Sequence, residues 1–248
     1  MKKIQILTML LFSATLFTAC RKDAVYPIQN DMVSSKQANY PLTITYQLTT
    51  LASSQTSLIQ WNSGYGHSYG LFFDAGEIKG SAYARTKYSA GVDETITLFG
   101  NTAMLGTLRM PVLKCPYGSF EIGLNPSGED HALYLTGTYY YFGPSYPYLS
   151  VPVMVIIDET LNMNSVWIND MNINKIKNHA VISFNPDLLN TGISNQMMNR
   201  AKKSHGTIVI SSTVNRNLYD IIFNNLQSHA MGAQFSSESM TPYDGEIQ

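Results

Sequence analysis

The chain has 248 residues, 44% of them hydrophobic and only 13% charged, with 16 Lys and Arg against 17 Asp and Glu. A formal net charge of −1 provides no basic surplus of the kind that binds nucleic acid or another polyanion. Two cysteines exclude a disulfide-dense scaffold, so the core has to hold the fold.

The first residues, MKKIQILTMLLFSATLFTAC, begin with Lys2 and Lys3 and continue as an apolar run from Ile4 to Phe17. That run is too short for a permanent membrane span and has the layout of a secretory signal. It ends in Phe17, Thr18, Ala19 and Cys20: an apolar residue, two small ones and a cysteine, the ending of a lipoprotein signal. The expectation is that residues 1–19 are removed and that Cys20 is diacylated, with palmitate among its acyl chains. The mature chain loses two lysines and no acid, leaving 14 basic against 17 acidic residues, or −3. Cys115, in KCPYG, is then the only thiol and reads as a buried small hydrophobe.

Residues 20–39 lack apolar periodicity and read as a tether. From residue 40 the period becomes two. YPLTITYQL alternates Leu42, Ile44, Tyr46 and Leu48 with Thr43, Thr45 and Gln47, the pattern of a half-buried strand. QTSLIQW, EIKGSAYART, ETITLF, GSFEIGL, HALYLTGTYYYF, VPVMVII, LNMNSVWI and HAVISF continue the theme, with Gly, Pro, Asn and Asp between them. Many short strands without long intervening helices predict an all-β fold, a β-sandwich, over a single domain of residues 40–230. One or two short C-terminal helices are expected to pack on the sheets. In NPDLLNTGISNQMMNRA, Asn185 caps, Pro186 suits a first helical position, and Gly192 divides the segment in two. GTIVISS reads as a strand, and NRNLYDIIFNNLQSH places Leu218, Ile221, Ile222 and Leu226 on one helical face. Residues 231–248 read as a polar tail.

Candidate chemistry is sparse. Gly66-His67-Ser68-Tyr69-Gly70 matches G-x-S-x-G, the nucleophile elbow of serine esterases. Neither the hydrophobic strand that should enter the elbow nor the helix that should leave it is present, so a Gly-rich hairpin loop is expected there. Acid pairs at Asp93 and Glu94, Glu129 and Asp130, and Asp158 and Glu159 fall in turn-like sequence, where acids solvate and cap. DMNINK starts like a calcium loop at Asp170, but Lys175 replaces the sixth-position Gly and Val181 the twelfth-position Glu. No catalytic residue, metal or cofactor is therefore assigned.

The aromatic residues give the strongest signal. TYYYFGPSYPY holds Tyr140, Tyr146 and Tyr148 around Gly143, Pro144 and Pro147, and WNSGYGHSYG adds Trp61, Tyr65 and Tyr69. Exposed tyrosines are rigid amphipathic surfaces that stack on sugar rings or grip proteins. These six residues are the candidate ligand- or partner-binding set.

ITLFGN, LGTLRMPVLKCPYGSFEIGLNPSG, ALYLTGTY, DLLNTGIS and GTIVISSTVNRNLYDIIFNNL, together with the lipoprotein start, resemble uncharacterised lipoproteins of Bacteroidota with a strand-rich domain of unknown function. The resemblance implies an outer-membrane lipoprotein facing the periplasm or the cell surface, and supplies no catalytic residues. Surface-exported lipoproteins of such bacteria often carry acids after the lipidated cysteine, whereas Arg21, Lys22 and Asp23 follow Cys20. The expected role is binding of a glycan, peptide or envelope protein through the Tyr-rich segments, without catalysis. The alternatives are a structural subunit of a fimbria-like assembly and, more remotely, an esterase using Ser68.

Overall fold

The computed structural model describes residues 31–34, 40, 42–79, 82–100, 102–111, 117–128, 130–143, 146–169, 171, 173 and 177–237. The signal segment, Cys20, Cys115 and Asp170 lie outside the described residues.

The protein is an all-β fold of two sheets with short helices. The four-stranded sheet is ordered β14-β11-β2-β5, from β2 (Leu42–Thr50), β5 (Ala103–Met110), β11 (Lys177–Phe184) and β14 (Met231–Ser237). The larger sheet runs β1-β4-β3-β7-β8-β13-β12. Its strands are β1 (Asp31–Ser34), β3 (Ile59–Lys79), β4 (Ala82–Thr97), β7 (Leu133–Gly143), β8 (Tyr146–Ile157), β12 (Lys203–Ser204) and β13 (Thr207–Ile210). A branch of β6 (Tyr117–Leu124), β9 (Leu161–Asn164) and β10 (Ile168–Asn169) joins it through β6.

β3 organises this sheet. It is 21 residues long and pairs with β4 along one edge over Tyr65–Lys79, and along the other with β7 over Ile59–Gly66 and then β6 over Ser68–Gly76. Bulges at Trp61/Ser63 and Ser68/Gly70 bend it between those partners. The period-2 reading of β2 holds, with Leu42, Ile44, Tyr46 and Leu48 all buried. Tyr46 reaches across the core, meeting the Phe120 ring edge-on at 5.4 Å and donating its hydroxyl to the Phe72 carbonyl at 2.9 Å. One contiguous apolar core thus joins both sheets.

The C-terminal helices pack on the larger sheet. A 3-10 turn (Pro186–Asn190) and α1 (Asn195–Arg200) are separated at Gly192, whose φ of +83° suits glycine. α2 (Arg216–Ser228) buries Leu218, Tyr219, Ile222 and Leu226, and lies against β9, β13 and the 3-10 turn.

Four local expectations are corrected. GYGHSYG is the middle of β3, not a hairpin loop. EIKGSAYART is not one strand but the end of β3 and the start of β4, paired at Lys79 and Ala82. Met231–Ser237, expected within the polar tail, is β14 and pairs with β11 over seven residues, because Met231 and Phe235 pack on the core. Asp31–Ser34, within the expected tether, pairs in parallel with Thr86–Ser89 of β4.

Candidate ligand-binding site

The 3-10 turn builds the site from below. Asn185 caps it, its side chain accepting from the Asp187 N–H. Asp187 in turn accepts from the Ser53 hydroxyl at 2.6 Å, the Ser57 hydroxyl at 2.6 Å and the Ser54 N–H at 2.8 Å. The loop between β2 and β3 is thereby strapped down. Burial pushes the Asp187 carboxyl up, but these three donors outweigh it and hold the group below the ordinary carboxylate range. Asn190 donates to the Ile59 carbonyl at 3.0 Å and accepts from Trp61 Nε1 at 3.3 Å, fixing the first residues of β3.

Above this base opens a pocket of about 250 Å³. Ser53 and Gln55 of the loop, Gln60 and Asn62 of β3, and Thr138 and Tyr140 of β7 surround it, with the edge of buried Trp61. The Gln60–Thr138 pair brings the two strands together here. Tyr140 is 37% exposed, and none of the lining residues is an acid or a base of the Asp, Glu, Lys, Arg or His type. Gln60 Nε2 donates to the Gln55 carbonyl at 2.8 Å, and the Asn62 carbonyl accepts from Thr136 at 3.0 Å. The Gln60 side-chain carbonyl and the Asn62 NH2, an acceptor and a donor, are not used in these two bonds.

Of the six predicted residues, Trp61 and Tyr140 meet at this pocket. Tyr65 and Tyr69 lie further along the outer face of the larger sheet. Tyr65 stacks on Tyr134 at 5.2 Å, opposite it on β7, and Tyr134 is six residues from Tyr140, or about 20 Å along the strand. Tyr69 occupies the second bulge with its ring over Gly123, where a Cβ would meet it at 2.5 Å, and donates to Asn162 Oδ1 at 2.9 Å. Tyr146 and Tyr148 are on β8, but their side chains lie outside the described residues.

Beyond Tyr69 the outer face becomes charged. Arg85 clamps Asp74 through Nε, at 2.7 and 2.8 Å to the two carboxylate oxygens, and its guanidinium lies 4.8 Å from the centre of the Trp167 ring. Lys87 donates to Glu121 Oε2 at 2.7 Å and sits 4.8 Å over the Phe72 ring. The Glu121 side chain is only 8% exposed, and its Oε1 has no hydrogen-bond partner among the described residues. Burial, and then the Glu121 charge, raise the Tyr69 phenol pKa.

Ser68 is 0% exposed on the core side of β3, and its Oγ has no partner among the described residues. β3 continues as a strand past its bulge to Lys79, so the turn and helix of a nucleophile elbow are both missing. Several of the acids named from sequence have partners: Asp93 holds His67 at 2.7 Å, Asp158 holds His131, and Glu159 accepts from Tyr219. Among the described residues no three His, Cys, Asp or Glu side chains converge on a common point.

Sequence reasoning missed Ser53, Gln55, Gln60, Asn62, Thr138 and Asp187. The alternation of β3 and β7 puts Gln60, Asn62, Thr138 and Tyr140 on outward positions, but only the pairing of the strands brings them together. Comparison with known proteins gives no matching family model, no matching curated protein and no matching solved structure.

Proposed function

We propose that this chain is a lipid-anchored cell-envelope protein, held to the outer membrane through acylated Cys20, whose domain binds a neutral glycan in the pocket beside Tyr140. One observation carries the reading: an exposed phenol ring shares a pocket with amides and hydroxyls and with no charged side chain. Sugar hydroxyls both donate and accept, which suits the Asn62 NH2 and the Gln60 carbonyl, and the apolar face of a sugar ring suits the Tyr140 ring. An extended peptide would instead add to a sheet edge through its backbone. This pocket opens on a sheet face, which favours the glycan.

The test is calorimetric titration of the chain from Arg21 onward with a panel of neutral oligosaccharides. Tyr140→Ala and Asn62→Ala are each expected to weaken the best ligand at least tenfold, about 1.4 kcal/mol. Unchanged affinity in both variants, or binding only of charged glycans, contradicts the reading.

The position of β1 favours a second reading, a subunit that exchanges N-terminal strands with its neighbours. Asp31–Ser34 occupies the β4 edge as a short parallel addition. Concentration-dependent assembly that disappears on deleting residues 21–39 would support it, and monomers at every concentration would remove it.

A further inference from the structure

A second cavity lies on the opposite face of β7 from the first. It measures about 210 Å³ and is bounded by β7, β8, α1 and β12. Tyr139, Val151 and Met198, all buried, and Tyr141 form its apolar wall. The Tyr139 hydroxyl is 2.8 Å from Asn199 Oδ1, which ties α1 to β7 at the cavity's side. Lys203, an exposed residue of β12, stands in the lining.

The charge distribution along the chain gives a second, independent observation. From Leu188 to Tyr219 there is no Asp or Glu, yet Arg200, Lys202, Lys203 and Arg216 all fall in this stretch of a chain whose net charge is −1. Arg216 is paired with Asp220 at 2.8 Å. Arg200, Lys202 and Lys203 are exposed, and none of them forms an ion pair among the described residues. A small cavity with one apolar wall therefore has an uncompensated cationic residue in its lining and two more close by in sequence.

We propose that this cavity binds a small amphiphilic anion, a carboxylate on a medium-length apolar stem. The stem packs against Tyr139, Val151 and Met198, and the carboxylate pairs with Lys203. A cavity of about 210 Å³ suits a medium-length stem of the size of octanoate's rather than a full lipid chain. The site shares no lining residue with the glycan pocket, so either can fail without the other.

Octanoate is the probe, titrated into the chain from Arg21 onward while the methionine methyl signals are followed by NMR. A Met198→Leu variant, close to volume-conserving, assigns the Met198 signal. Octanoate is expected to shift that signal saturably. Lys203→Met, a change at an exposed position, is expected to weaken octanoate at least fivefold, and octanol to bind more weakly than octanoate and equally to both proteins. The proposal is overturned if Met198 does not respond to millimolar octanoate, or if Lys203→Met binds octanoate as well as the wild type does. It is also overturned if the protein binds anionic phospholipid vesicles while free octanoate leaves Met198 unchanged, which would assign the basic residues to the membrane surface.

Discussion

Ser68 spells the centre of a catalytic motif and yet faces the core, its Oγ unbonded among the described residues. A buried hydroxyl without a partner costs about 1–3 kcal/mol of desolvation. Ser68→Ala is accordingly expected to leave the fold intact and raise stability by about 1 kcal/mol in urea unfolding; a loss of stability would mean that the hydroxyl is bonded in solution. Asp187 makes the opposite case. Its carboxylate is stabilised in the folded chain by Ser53, Ser57 and the Ser54 N–H, so its folded pKa lies below the unfolded one. Stability from those bonds is complete above the unfolded pKa and is lost as pH falls through the folded value. The melting-temperature gap between wild type and Asp187→Ala should be widest at neutral pH and should begin to narrow only as pH falls below about 4. A gap that stays constant with pH would show that the carboxylate charge is not what holds the loop. None of this was legible in the sequence, because Asp187 lies 134 residues from Ser53 and nothing local links them.

At the scale of elements, glycine misled the reading of β3. Gly64, Gly66 and Gly70 suggest a turn, but in β3 they let neighbouring groups come close. A Cβ on Gly64 would lie 2.5 Å from Leu135 Cδ2, and one on Gly66 would lie 2.9 Å from the Ala132 carbonyl. The alternation was present all along, with Tyr65, His67 and Tyr69 outward and Gly64, Gly66 and Ser68 inward, but small inward residues hide the period. Gly64→Val should overpack this contact and cost about 1–3 kcal/mol by thermal or urea unfolding, whereas a neutral result would show that β3 and β7 are not closely packed there. β2 and α2 were legible because their own side chains carry the period in apolar bulk. β14 was not, since MGAQFSS is short and half polar, and its strand character comes from pairing with β11. Deleting residues 231–248 should therefore lower the melting temperature sharply, through loss of buried Met231 and of the Phe235 stack on Phe120 at 6.2 Å. An unchanged melt would show that β11 is stable as an edge.

At the scale of the whole molecule, composition and strand spacing were enough to give an all-β fold. The division into a four-stranded sheet and a larger one was not legible, since it depends on β3 serving two partners in succession. The same applies to the site: Trp61 and Tyr140 were visible as aromatics, but their union with Gln60, Asn62 and Thr138 required the β3–β7 register. The anchor belongs to this scale as well. Cys20→Ala is expected to move the protein from the membrane to the soluble fraction and to abolish palmitate incorporation, and unchanged labelling would remove the anchor from the account. The central claim is that the outer-face pocket is where the glycan binds. Hydrogen–deuterium exchange, with and without the tightest neutral oligosaccharide, tests it most directly. The account predicts slowed exchange in residues 53–62 and 136–140, with no change around Arg85 and Glu121. Slowed exchange confined to the charged half of the sheet, or no change anywhere at saturating ligand, would contradict it.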